Sequence, residues 1–200
     1  AVAREMGEEV SIDFLPWARG FLATKRGKYD GTFPYIRTRE REQEFHYSAP
    51  LFMIRNMVYV RRGRPVPLKR LEHLSGKSMC RPTGYAASEA LEPLISAGQV
   101  HIEQVSDMPT CFRMVKAGRA DFLEIGDIVG RLSIRKARLA ETDFLALPIT
   151  KAEQGHYLII SRGHPDAFRI LDQFNAALRR LQESGRFKQR MDAYMAAYPQ

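Results

Sequence analysis

The chain has 200 residues and 22.9 kDa, and Lys+Arg less Asp+Glu is 31 − 23 = +8, with a pI ≈ 9.7. A hydrophobic fraction of 44% excludes intrinsic disorder, and 14 Gly and 11 Pro exclude a collagen-like or low-complexity chain. No run reaches the roughly 20 apolar residues of a membrane-spanning helix, and the basic residues are scattered without a long like-charge run, so no nucleic-acid partner is expected.

Ala1 to Met6 reads as a helix closed by Gly7. Val10, Ile12 and Phe14 alternate with polar residues, so Glu9 to Leu15 is expected to be a strand with one buried face. Pro16 and Trp17 open a helix that Gly27 closes, and a short strand runs from Tyr29 to Tyr35. Thr38 is placed as a helix cap with Glu40 in the first turn. Phe45 to Leu51 is extended and turn-rich, and Phe52 to Val60 is a longer β-branched strand. Residues Arg61 to Pro67 break every pattern and form the best linker candidate.

Beyond it, Leu68 to Leu74 is a helical turn and Lys77 to Cys80 a strand. Pro82 to Tyr85 is a loop leading into a helix over Ala86 to Ser96. Strands over Val100–Val105, Asp121–Ile125 and Phe144–Ile149 alternate with helices over Pro109–Ala117 and Ile128–Ala137. A turn at Thr150 to Gly155 precedes an apolar strand, Tyr157 to Ser161. The last two helices run from His164 to about Glu183 and from Phe187 to Tyr194. Strand–helix alternation of this kind indicates an α/β fold with mainly parallel sheets, and its restart after Pro67 indicates two lobes.

Four places carry chemistry. Thr38 to Glu44 is the densest charge cluster; it is either a solvated helix start or the site where one Arg forks onto a ligand carboxylate at a strand's carboxyl end. Phe33 and Tyr35, just before it, are edge packing or an aromatic cleft wall. Arg81 to Ser88 joins strand to helix, and Gly84 allows close backbone approach of an anion to free amides. Glu124 and Asp127 follow a strand and would suit an ammonium group, or simply begin a helix. Cys80 and Cys111 are the only cysteines; they are two buried thiols or, in an exported protein, one disulfide. No metal site is expected, because the histidines are scattered and no cysteine quartet exists.

Six segments in order resemble the periplasmic solute-binding proteins of ABC transporters, family 3, the polar-amino-acid type. Gly27 to Tyr35 is similar to its "G-x-x-D" strand, and Thr38-Arg39-Glu40-Arg41 to its "T-x-x-R". Phe45 to Leu51 resembles "F-S-x-P-Y/L", and Leu74 to Lys77 resembles "L-x-G-K". Lys116 to Asp121 resembles "x-x-G-R-x-D-A", and Leu181 to Phe187 the closing "L-x-x-x-G-x-h".

The resemblance implies a two-lobed periplasmic-binding-protein-like (type II) fold with a ligand cleft between lobes. It implies lobe one over residues 1–62 plus 150–200 and lobe two over 63–149. It also implies a strand and a helix ahead of the segment that starts here. By it, Arg41 clamps a ligand α-carboxylate, with Thr38, Phe33 and Tyr35 beside it. Thr83, Gly84 and Tyr85 contribute from the other lobe. The family places an amine-binding acid close to Gly126, where this chain has Glu124 and Asp127 flanking. The expectation is a monomeric periplasmic binding protein that takes an amino acid or analogue to transporter membrane subunits, without cofactor, metal or catalysis. The alternatives are an enzyme resembling cyclohexadienyl dehydratase, with Glu124 or Asp127 as its acid, and the sensing domain of a receptor or regulator.

Overall fold

The computed structural model describes residues 1–63, 70–148 and 153–197. Much of the expected linker, and half of the expected turn at Thr150 to Gly155, lies outside these residues. The helices are α1 (Val2–Met6), α2 (Trp17–Lys25), α3 (Arg39–Glu44), α4 (Glu92–Ser96), α5 (Met108–Ala117), α6 (Asp127–Lys136), α7 (Ala167–Glu183) and α8 (Arg186–Ala197). The strands are β1 (Thr32–Tyr35), β2 (Phe45–Tyr47), β3 (Phe52–Arg61), β4 (Lys77–Pro82), β5 (Val100–Val105), β6 (Phe122–Gly126), β7 (Phe144–Leu147) and β8 (Glu153–Ser161).

The chain divides into two compact units, residues 1–52 with 156–200 (unit 1) and residues 53–155 (unit 2). The lobe boundaries expected from the resemblance put Met53 to Arg62 in lobe one. In the structure these residues belong to unit 2, because β3 pairs from Asn56 to Arg61 with β6 and β7. The α/β class holds, and the sheets mix both senses of pairing rather than being mainly parallel. β4 runs parallel to β5 and β6, whereas β3 lies antiparallel to β6 and β7, and β8 lies antiparallel to β1 and β2.

Unit 2 has a core on each face of its sheet. Tyr59, Cys80, Phe112, Val115, Leu123 and Phe144 pack on one side. Val58, Val60, Leu74, Met79, Leu91 and Phe122 pack on the other. Coverage of both faces suits the consecutive apolar residues Met57–Val60 of β3 and Phe122–Leu123 of β6. Cys80 on β4 and Cys111 on α5 form a disulfide, which settles the alternative left by the sequence. α4 starts at Glu92, six residues later than the Ala86 start expected from the sequence. Pro93 is the reason: it lacks the N–H an interior helical position needs and fits only the first turn.

Unit 1 is built around β8, which carries β1 and β2, and around the amphipathic α7, whose Leu171, Ala177, Leu178 and Leu181 are buried. Phe168, near the start of α7, is 68% exposed. Glu9 to Leu15 is not a strand. Its alternation marks a face but supplies no partner edge, and Val10, Ile12 and Phe14 stand 58%, 54% and 97% exposed. A cavity of about 390 Å³ lies between this segment and β1, lined by Ile12, Phe14, Thr32 and Phe33 among others. The buried Thr24 hydroxyl also lines it and has no hydrogen-bond partner.

Candidate functional site

In unit 1 the side chains gather on one face of β1, β8 and β2. The register pairs Tyr35 with Tyr157 and Tyr47 with Ile159, so Tyr35, Tyr157 and Tyr47 all point to the same side. Tyr35 is 2% exposed; its hydroxyl donates to the Trp17 carbonyl at 2.8 Å, and its ring meets Trp17 edge-on at 4.9 Å. Thr38 caps α3, its hydroxyl accepting the Arg41 N–H at 3.3 Å, as its sequence position predicts. The cap fixes the first turn of α3 and with it the root of the Arg41 side chain.

Arg41 lies along the aromatic face. Its guanidinium carbon is 5.2 Å from the Tyr35 ring centre and 5.8 Å from that of Phe21, and one N–H donates to the Ile36 carbonyl at 3.1 Å. Burial lowers its pKa, opposed by the neighbouring tyrosines and Glu40. It remains a cation at any physiological pH, its planar guanidinium held on the rings. Phe33 is 51% exposed at the rim.

Three participants escaped the sequence reading. Arg37 sits 4.9 Å from the Tyr47 ring centre and 5.1 Å from that of Tyr157. Burial pushes the Tyr47 phenol up to about 12, with Arg41 and Arg37 pulling the other way. Its hydroxyl is buried against the Thr38 main chain, which also opposes the rise. The signal was present in the Phe45–Tyr47 and Tyr157–Ile159 alternation, which puts these rings on the Tyr35 side once the strands are paired.

In unit 2 the structure separates Glu124 from Asp127. Asp127 is the first residue of α6, its carboxylate accepting the Ile128 N–H at 2.8 Å and facing Arg131 at 3.8 Å. It is the solvated helix start that the charge pattern allowed. Glu124 is partly buried opposite Val58, its partner on β3. It accepts the Ser88 N–H at 3.0 Å. Burial raises its pKa, and hydrogen bonds from Ser88 and Asn56 oppose that rise. No Lys, Arg or His ion pair with Glu124 occurs among the described residues. The Asn56 amide is itself steered by Gln154 at 2.7 Å. A partly buried carboxylate with only neutral donors around it is suited to an incoming cation.

The loop after β4 meets the expectation only in part. Gly84 has φ 85, a left-handed conformation that glycine adopts without strain. Thr83 turns away from an anion role, because its N–H and hydroxyl both point to the Val105 carbonyl, at 2.9 and 3.3 Å. Tyr85 packs against the Phe112 core. Ser88, the last residue of the segment the sequence singled out, carries the loop's polar contact with Glu124. No group of His, Cys, Asp and Glu suited to a metal is found among the described residues.

Comparison with known proteins gives one consistent result. The model of the bacterial extracellular solute-binding proteins, family 3, matches residues 1–197. A probable histidine-binding protein of Neisseria gonorrhoeae is 23% identical over 201 residues, covering 98% of this chain and 72% of that one. An ancestral arginine-binding protein, solved with arginine, superposes with a TM-score of 0.78 at 19% identity, covering 94% of this chain and 81% of the other. A histidine kinase sensor domain similar to periplasmic binding proteins gives 0.79 at 21% identity, covering 94% and 79%. At such identities the structural likeness establishes the fold.

Proposed function

Because the chain belongs to the bacterial extracellular solute-binding proteins, family 3, we propose that it binds a small amino-acid-like solute in the periplasm and hands it to the membrane subunits of an ABC transporter. The observation that carries this reading is Arg41, a guanidinium capped at its root by Thr38 and laid on the Tyr35 and Phe21 rings. Such a planar fork matches the two oxygens of a carboxylate. Glu124 takes the solute's ammonium group, and Phe33 and Tyr35 line the pocket. Thr83, Gly84 and Tyr85 form the turn that leads to Ser88, with the Tyr85 N–H donating to the Pro82 carbonyl at 3.1 Å. The protein acts as a monomer without catalysis or nucleic acid. The disulfide accords with an oxidising compartment. The likeness to a kinase sensor domain supports a second reading, in which the same binding step feeds a signal instead of transport.

The test is a thermal-shift scan against the amino acids, polyamines, opines and small dicarboxylates. A ligand at about 100 times its Kd adds about 2.7 kcal/mol and raises Tm by roughly 5–10 °C. A flat response across carboxylated solutes from well-folded protein contradicts the reading.

A further inference from the structure

We propose that the solute carries a second acidic group, which Arg37 binds, making it an acidic amino acid or a short dicarboxylate. The proposal rests on the reading of Arg41 as the carboxylate clamp and goes beyond it in naming the solute class.

Two guanidiniums share one aromatic wall in unit 1. Arg41 lies 5.2 Å from the Tyr35 ring centre, and Arg37 lies 4.9 and 5.1 Å from those of Tyr47 and Tyr157. The Tyr47 and Tyr157 rings meet edge-on at 5.6 Å and hold the Arg37 fork between them. Both cations act on Tyr47, so their fields reach the same place. An aromatic seat fixes a guanidinium through its flat face and leaves its in-plane N–H donors for an oxyanion.

The carboxylate that Arg37 faces is Glu42, with 3.4 Å between Arg37 Nε and Glu42 Oε1. Both side chains are about half exposed, at 47% and 44%. A pair so open to water contributes little, and an incoming carboxylate can exchange with Glu42 at small cost. A solute with one carboxylate leaves Arg37 to this weak partner. A solute with two engages both fixed cations.

The test is calorimetric titration of the wild-type protein and of Arg37→Gln with L-glutamate, L-glutamine, L-aspartate and L-asparagine. Each pair differs only in the charge of the side-chain terminus. The wild type is expected to bind one acid about tenfold or more tighter than its amide, a difference of roughly 1.4 kcal/mol or more. Arg37→Gln should lose that preference while leaving amide affinity within about twofold, and Arg37→Lys should retain part of it. Equal or tighter wild-type binding of the amides overturns the proposal, as does an Arg37→Gln that weakens acid and amide alike. A scan in which a neutral or basic amino acid binds best, with affinity lost in Arg41→Ala, removes the second acid and keeps the solute-binding reading. A wild type that binds no carboxylated solute removes both.

Discussion

Unit 2 is held together by pairing on both edges of its inner strands, by core on both sheet faces and by the Cys80–Cys111 disulfide. Unit 1 hangs two short strands on β8 and leaves Glu9 to Leu15 without a strand partner. Their candidate ligand groups differ in the same way. Unit 2 offers a partly buried acid set among neutral donors, and unit 1 offers two cations laid on aromatic rings. Fixed strand pairing suits a site that must keep a carboxylate desolvated. A thinner frame suits cations that keep solvent access and carry their own aromatic seats.

Unfolding experiments can break this contrast, and Trp17, the only tryptophan, lies in unit 1 and reports on it. The largest effect is expected for Phe112→Ala. Phe112 is fully buried and meets Tyr59 and Phe144 edge-on at 5.1 Å each, so truncation should cost about 3–5 kcal/mol. In denaturant titrations the far-ultraviolet circular dichroism transition should shift more than the Trp17 fluorescence transition. Equal shifts would show that the two units unfold as one body.

Replacing both cysteines by alanine comes next. The bridge spans 31 residues, and releasing a loop of that length should cost about 3–4 kcal/mol. The loss should again be read in circular dichroism ahead of Trp17 emission. Thr38→Ala should act in the other unit, removing the α3 cap for about 1 kcal/mol and moving the Trp17 transition. A Thr38→Ala protein with unchanged stability and unchanged ligand affinity would deny the cap its positioning role.

The smallest effect is a slope with pH. Glu124 has a raised pKa in the folded state, so the folded protein binds the proton more tightly than the unfolded chain does. Stability from this group therefore rises as pH falls from neutral through its folded pKa toward the ordinary carboxylate value. Binding of a cationic group should weaken over the same window. Glu124→Gln should flatten both trends, and a parent-like pH profile in that variant would refute the assignment.

Much of the frame was legible in the sequence because its signals are local. Gly7 and Gly118 close their helices, Thr38 caps α3, and the spacing from Leu171 to Leu181 builds the buried stripe of α7. The misreadings came where the deciding partner is distant. Alternation over Val10, Ile12 and Phe14 could not show that no strand pairs with it. Residues 86–91 looked helical, but Pro93 sets the start of α4 and the Ser88 N–H goes to Glu124. At the site, Arg41 and Glu124 were readable as charges after strands. Arg37, Tyr47 and Tyr157 were not, because cross-strand register brings them together, and register is hard to infer from one sequence.

The central claim is that Arg41 binds a carboxylate. Its most direct test is a double-mutant cycle with one bound amino acid and the amino alcohol that lacks its carboxylate, titrated into wild type and Arg41→Ala. The wild type should prefer the acid by roughly 2–5 kcal/mol, and Arg41→Ala should erase that preference while binding the alcohol as the wild type does. A preference that survives in Arg41→Ala would contradict the account.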